Sequence, residues 1–321
     1  MTGVVVDMTD GGKVGIDKVT SNPKISRSNY PNILYAIAGG VTSHSSRSKI
    51  RANWFLKKGY PNVYIVNRRC SSRVPQFSPQ ISVPYGKYND LVDIMDFLTQ
   101  SEPDKKWILV GSCFGASHVI EYFMQPSSDR PEILGGVVDS FLFNGRKFSS
   151  NQLTSKTILA TKARELMFKM LVDSALNHAA DKEVYDRVSQ IIDRKQFEDL
   201  NFADVKSSES IVELFRAMCP EAGFVDWFDI YSKTSPYFDM MPYHQKNFLK
   251  ITKPLVMVYA QDDPFSPFDS EEVELVKENP NLCLWLYPGG GHVSFAEKVY
   301  PYKSYLEDFY LENCSLIRKL S

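Results

Sequence analysis

The chain is predicted to form a doubly wound α/β fold: a mostly parallel sheet, opened by an N-terminal hairpin and interrupted by an inserted helical cap. Three observations predict it. Six short apolar runs have the character of buried strands, helical segments alternate with them, and one long interval is helical throughout. The apolar stretch before Asp10-Gly11-Gly12-Lys13, followed by alternating Val14 and Ile16, reads as a β-hairpin, because paired glycines supply the positive φ of a tight turn. The strand runs follow at Ile33 to Ala38, Val63 to Val66, Trp107 to Val110, Leu134 to Val138, Leu255 to Tyr259 and Leu282 to Leu286. Helical spacing marks Ile50 to Lys58, Tyr88 to Gln100, Gly115 to Met124 and Glu271 to Lys277. Such alternation builds right-handed βαβ crossovers with helices on both faces of the sheet. The interval 148–248 breaks this rhythm and reads as the cap, leaving residues 1–147 and 249–321 as two parts of one core.

Composition narrows the function. With 43% hydrophobic and 23% charged residues, the 321-residue chain is an ordinary globular protein able to bury a sizeable core. Its formal net charge of −1, with no long Lys/Arg stripe, supplies no drive toward nucleic acid or anionic membrane. No apolar run reaches the roughly 18 residues of a membrane span. Residues Met1 through Asp10 lack the basic-then-apolar pattern of a signal peptide. Five scattered cysteines, an odd number without C-x-x-C pairs, suit free thiols in a reducing, cytoplasmic compartment and suggest no metal. No cofactor motif stands out, so a small neutral molecule is the expected partner.

The segment richest in chemistry is Trp107-Ile-Leu-Val-Gly111-Ser112-Cys113-Phe114-Gly115, an apolar strand entering G-x-C-x-G and then an apolar helix. This pattern in this context is a nucleophile elbow: the glycines let strand and helix backbones approach, and the central side chain stands at the carboxyl edge of the sheet. Cys113 occupies that position. A helix amino terminus favours thiolate, which can lower a cysteine pKa into the range of about 3.5–7.5. The blander reading is a small buried hydrophobe in an ordinary βα turn. Ser112 is the poorer nucleophile, because its place in the elbow points away from the site.

After the last strand, Tyr287-Pro-Gly-Gly-Gly291-His292 presents a histidine on a glycine-rich loop at the sheet edge where ligand sites form. His44, His118, His178 and His244 fall elsewhere and read as surface or packing residues. One strand earlier, Asp262-Asp263-Pro264-Phe265-Ser266-Pro267 offers a carboxylate that can orient the imidazole. Asp263 has the better spacing to the following proline, with Asp262 as an outer helper or turn residue. Asp139, after the strand ending at Val138, is the other candidate acid.

With these residues in place, the chain resembles the embryogenesis-associated, YheT-like branch of the α/β-hydrolases. Asp10-Gly11-Gly12 with Asp17 is similar to that branch's opening DGG…D hairpin, and Gly40-Val41-Thr42 to its HGLT loop. Asn67-Arg68-Arg69-Cys70 is similar to its N-x-R-G-C segment, Ser235-Pro236 to its SP, and Asp262 to Pro267 to its DDPF-x-P. The resemblance implies the α/β-hydrolase fold and an oxyanion hole from the backbone N–H groups of Phe114 and Val41. The chain departs from the branch at Cys113, where the branch has serine, at Gly39, where it has histidine, and at Arg69, where it has glycine. Cysteine elbows also occur in dienelactone hydrolases and polyhydroxyalkanoate synthases, so the fold can run thiolate chemistry.

The resemblance implies acyl transfer through a thioester on Cys113, with His292 moving protons and Asp263 orienting it. Thioesters react well with amines and carbon nucleophiles, which tilts the expectation toward an acyltransferase or condensing enzyme beside an esterase or thioesterase. Met167, Phe168, Met170, Trp227 and Phe228 of the cap either line a pocket for a small hydrophobic acyl substrate or pack the cap on the core. A hydrolase-fold protein that has drifted into a small-molecule binding module is the alternative.

Overall fold

The computed structural model describes residues 1–38, 41–67, 89–141, 248–263, 270–292, 296–298 and 303–320. Eight strands form one sheet: β1 (Thr2–Asp7), β2 (Lys13–Thr20), β3 (Asn32–Ala36), β4 (Asn62–Asn67), β5 (Trp107–Ser112), β6 (Ile133–Asp139), β7 (Leu255–Ala260) and β8 (Leu282–Tyr287). Their spatial order is β1-β2-β4-β3-β5-β6-β7-β8. β1 pairs antiparallel with β2, β2 antiparallel with β4, and every later neighbour is parallel. The expected hairpin and doubly wound sheet are therefore both present. The cap interval, apart from Phe248, lies outside the described residues.

The period-2 alternation of strands sorts the apolar residues into two cores, one on each face of the sheet. Leu34, Trp107, Leu109, Val138 and Met257 face one side with Ala116, Val119 and Ile120 of helix α3 (Phe114–Phe123) and Leu91, Ile94 and Met95 of helix α2 (Asn89–Ser101). Ile33, Tyr35, Ile108, Val110, Val137 and Val258 face the other. There they meet Ala52 and Phe55 of helix α1 (Ser46–Lys57) and Leu306, Tyr310, Cys314 and Ile317 of the last helix. Because β3, β5 and β7 are buried on both faces, they read in sequence as unbroken apolar runs.

Helix α4 (Ser270–Lys277) precedes β8, and two short strands, β9 (Ala296–Lys298) and β10 (Lys303–Ser304), pair antiparallel before helix α5 (Tyr305–Leu320). Helix α5 was not expected from the sequence, yet its buried residues Leu306, Phe309, Tyr310, Asn313, Cys314 and Ile317 keep helical spacing. Glu307 and Asp308 in its first turn and Arg318 and Lys319 in its last complement the helix dipole. β8 also departs from its expected buried character. It is one of the two outer strands of the eight, and Cys283, Trp285 and Leu286 are exposed.

Candidate active site

Cys113 sits between the end of β5 and the start of α3 with φ 53° and ψ −122°, a conformation that a non-glycine residue adopts only under constraint. The flanking glycines explain how the turn fits. A Cβ on Gly115 would lie 2.2 Å from the carbonyl oxygen of Ala36, and one on Gly111 would lie 2.6 Å from the Cα of Ala116. Both obstacles are backbone, so neither can yield. The backbone N–H of Cys113 donates to the Asp139 carbonyl at 3.0 Å, tying the turn to the end of β6.

Asp263 follows β7 and His292 follows β8, and the two meet: His292 Nδ1 and Asp263 Oδ2 are 2.7 Å apart. The Asp263 side chain is 1% exposed and that of His292 12%, so the pair is shielded while the imidazole keeps an opening to solvent. His292 also hydrogen-bonds the Cys113 side chain. With Nδ1 engaged by Asp263, Nε2 is the ring nitrogen left for the sulfur. Burial pulls the His292 pKa down, but negative charge on Cys113 and on Asp263, with hydrogen bonds to both, outweighs it and holds the imidazolium well above the ordinary histidine range. Cys113, His292 and Asp263, three residues from three strand ends, thus form one hydrogen-bonded row.

The loop carrying His292 is itself anchored. Gly291, at φ 59°, is in the left-handed region, and its N–H donates to Asp262 Oδ1 at 2.8 Å. Asp262 therefore supports the turn before the imidazole, while its neighbour Asp263 contacts the ring.

Phe114 opens α3 directly after the sulfur-bearing residue, where helical N–H groups have no partner within the helix. Val41 lies in the loop after β3 and packs on the face that includes Ile33 and Tyr35. That loop is tied down two residues later. Ser43 N–H donates to Asn67 Oδ1 at 2.8 Å, Ser43 Oγ donates to Asp17 Oδ2 at 2.5 Å, and Asn67 Nδ2 donates to the same Asp17 oxygen at 2.8 Å. Asp17 and Asn67, which entered the sequence analysis only as matches to motifs, thus hold the loop that carries Val41.

Asp139 is placed elsewhere. It is fully buried, 3.1 Å from Arg51 Nη1, and accepts hydrogen bonds from Ser112 Oγ and Tyr310 Oη. Ser112 points into the same buried cluster, away from the row of Cys113 and His292. Of the remaining histidines, His44 is exposed and His118 is buried on α3, while His178 and His244 lie outside the described residues. Neither Arg51 nor Tyr310 stands in a recognisable motif. Only the spacing of the α5 residues hinted that Tyr310 is buried. Among the described residues, no group of three or more His, Cys, Asp or Glu could hold a metal ion, and no helix is long and apolar enough to cross a membrane.

No family model matches the chain. It is 22% identical to phospholipase ABHD3 of Mus musculus over 303 residues, covering 92% of this chain and 67% of the relative. It is 25% identical to an abhydrolase domain-containing protein of Dictyostelium discoideum, covering 91% of this chain and 68% of that one. Among solved structures, a soluble variant of monoglyceride lipase from Saccharomyces cerevisiae superposes with a TM-score of 0.56 at 16% identity, over 99% of this chain and 95% of that one. A Pyrococcus furiosus esterase superposes with a TM-score of 0.53 at 16% identity, over 99% and 90%. At such identities the solved structures speak for a shared fold.

Proposed function

We propose that this chain, a member of the α/β-hydrolase superfamily, is a Cys-His-Asp acyl-transfer enzyme that cleaves a small hydrophobic carboxylic ester or thioester through an acyl-enzyme on Cys113. The observation that carries the reading is the hydrogen-bonded row of Cys113, His292 and Asp263 at a strained strand-to-helix turn. Relatives named as a phospholipase and a monoglyceride lipase favour a fatty-acyl ester as substrate.

In the first half-reaction His292 holds the thiol proton, the thiolate attacks the carbonyl carbon, and a C–S bond forms as the carbonyl π pair moves onto oxygen. In this reading the N–H groups of Phe114 and Val41 receive that oxyanion. Its collapse breaks the bond to the leaving group, which takes the proton from His292, and a thioester remains. In the second half-reaction His292 removes a proton from water, or from an acceptor amine or alcohol, as it attacks the thioester carbonyl. The thiolate then departs with its electron pair. Asp263 keeps the imidazole in the required tautomer throughout.

The test is intact-mass spectrometry of the protein mixed with a panel of fatty-acyl esters and thioesters. The expected result is an acyl adduct on Cys113 that hydroxylamine removes and that Cys113→Ala lacks. Cys113→Ser should lose transfer or shift toward slow hydrolysis with ligand affinity largely kept, because serine needs a general base from the start. Absence of any adduct and turnover across the panel, with tight reversible binding of one compound, would overturn the enzyme in favour of a binding module.

A further inference from the structure

A second, buried cluster lies beneath the elbow, and the carbonyl oxygen of its Asp139 accepts the backbone N–H of Cys113. Arg51 from α1, Ser112 from β5, Asp139 from β6 and Tyr310 from α5 meet there, with Tyr35 from β3. None of the five is more than 3% exposed. Arg51 Nη1 donates to Asp139 Oδ1 at 3.1 Å, to Tyr35 Oη at 3.1 Å and to Ser112 Oγ. Tyr310 Oη lies 3.0 Å from the Gly111 carbonyl oxygen and also donates to Asp139 Oδ1.

We infer that Arg51, Asp139 and Tyr310 are positioning residues that hold the strained Cys113 turn in its reactive geometry. This rests on the reading of Cys113 as the nucleophile. The hub grips each residue of the elbow separately: Gly111 by its carbonyl oxygen, Ser112 by its hydroxyl, and Cys113 by its N–H through the Asp139 carbonyl. Only two non-glycine residues among those described have positive φ, Cys113 at 53° and Ser140 at 52°. Each directly follows a member of the hub, and β5 and β6 pair in the register that sets Ser112 opposite Asp139. Strained backbone of this kind persists only where its surroundings over-determine it.

Stability does not account for the cluster. A buried ion pair is desolvated at a cost that its attraction often fails to recover, and an apolar set of the same volume is frequently as stable or more so. The second oxygen of Asp139 is buried with no hydrogen-bond partner among the described residues, so the cluster as described is not optimised as a stabilising network. What the buried charges do supply is directional contact with three consecutive residues of one turn.

The test uses the full chain with Tyr310→Phe, which deletes one hydroxyl and keeps the ring, and Ser112→Ala, which deletes a second link to Asp139 and leaves that of Arg51. For each variant, circular dichroism, the rate of Cys113 alkylation by iodoacetamide, and kcat and KM on the most reactive ester of the panel are measured. The expected result is an unchanged spectrum, an unchanged KM, and falls of about tenfold in both kcat and alkylation rate, the size that one or two hydrogen bonds support. Alkylation needs no substrate, so it separates the two readings. If the wild type turns over no ester but alkylation still slows in both variants, the hub stands and the acyl-transfer reading falls. If both variants alkylate and turn over at the wild-type rate, the hub is only packing and the proposal is overturned.

Discussion

Replacing Asp263 with asparagine removes the negative charge from the floor of the His292 contact and leaves its shape nearly unchanged. The contact is short, 2.7 Å, and the carboxylate is 1% exposed, so its charge is poorly screened. A hydrogen bond to a charged group is worth about 1.5–3 kcal/mol. The loss therefore lowers the His292 pKa and cuts the population of the imidazolium–thiolate pair by about 10- to 150-fold. The thiolate then forms only at higher pH. Alkylation of Cys113 by iodoacetamide, followed by peptide mapping between pH 4 and pH 9, should show its midpoint moving to higher pH in Asp263→Asn. Ester acylation should fall by about 100-fold or more, short of the roughly 10⁴-fold loss when a serine nucleophile loses its orienting carboxylate. Asp262→Asn is the control. Its amide oxygen can still accept from Gly291 N–H, so acylation should stay within about threefold of wild type. An Asp263→Asn protein with an unmoved midpoint and full acylation rate would refute the argument, and equal losses in the two variants would mean that both carboxylates share the role.

Three further outcomes follow from the geometry. At pH 6 Cys113 should be alkylated about tenfold faster than the exposed Cys283, because Cys113 sits at the amino terminus of α3 beside His292. Cys314, whose thiol burial pushes up, should remain unlabelled, and peptide mapping of the modified chain decides both points. Gly115→Ala forces a methyl group onto the Ala36 carbonyl and should destabilise the protein by about 3 kcal/mol or more, read as a lower urea midpoint at unchanged slope. Burial alone would raise the Glu102 carboxyl, but hydrogen bonds from Lys18, Tyr64 and Asn32 hold it below its ordinary range. Its stabilisation is therefore present above the unfolded value and lost as pH falls through the folded one. Glu102→Gln should be less stable than wild type at pH 7, and the gap should close below about pH 4, as measured by thermal unfolding across pH.

The parts legible in the sequence are those written in local pattern. The runs that became β3 to β7 are continuous because doubly buried strands must be, and Gly111 and Gly115 flag Cys113 because no larger residue fits against backbone at 2.2–2.6 Å. His292 and Asp263 were legible through their places after consecutive strands. Contacts between distant residues were not. Arg51 sits on an amphipathic helix where a charged residue normally faces solvent, and nothing around it signals that it is buried against a carboxylate 88 residues away. Asp139 was visible as a carboxylate at a strand end, but not its engagement by Arg51, Ser112 and Tyr310. β8 was misread because an outer strand and a central one can carry the same apolar run, and only the strand order tells them apart.

The hub also has a consequence in time. Its contacts join residues 88, 171 and 198 positions apart along the chain. Closing a loop of the longest of these spans costs about 5 kcal/mol of chain entropy, so such contacts form after the local helices and hairpin. Until these contacts form, the turn before α3 lacks the hydrogen bonds that hold it at positive φ, and Cys113 is an ordinary thiol with little thiolate at neutral pH. If Cys113 is the proposed nucleophile, a partly folded chain carries no activated sulfur to be acylated or oxidised, and reactivity comes only with the long-range contacts of the hub.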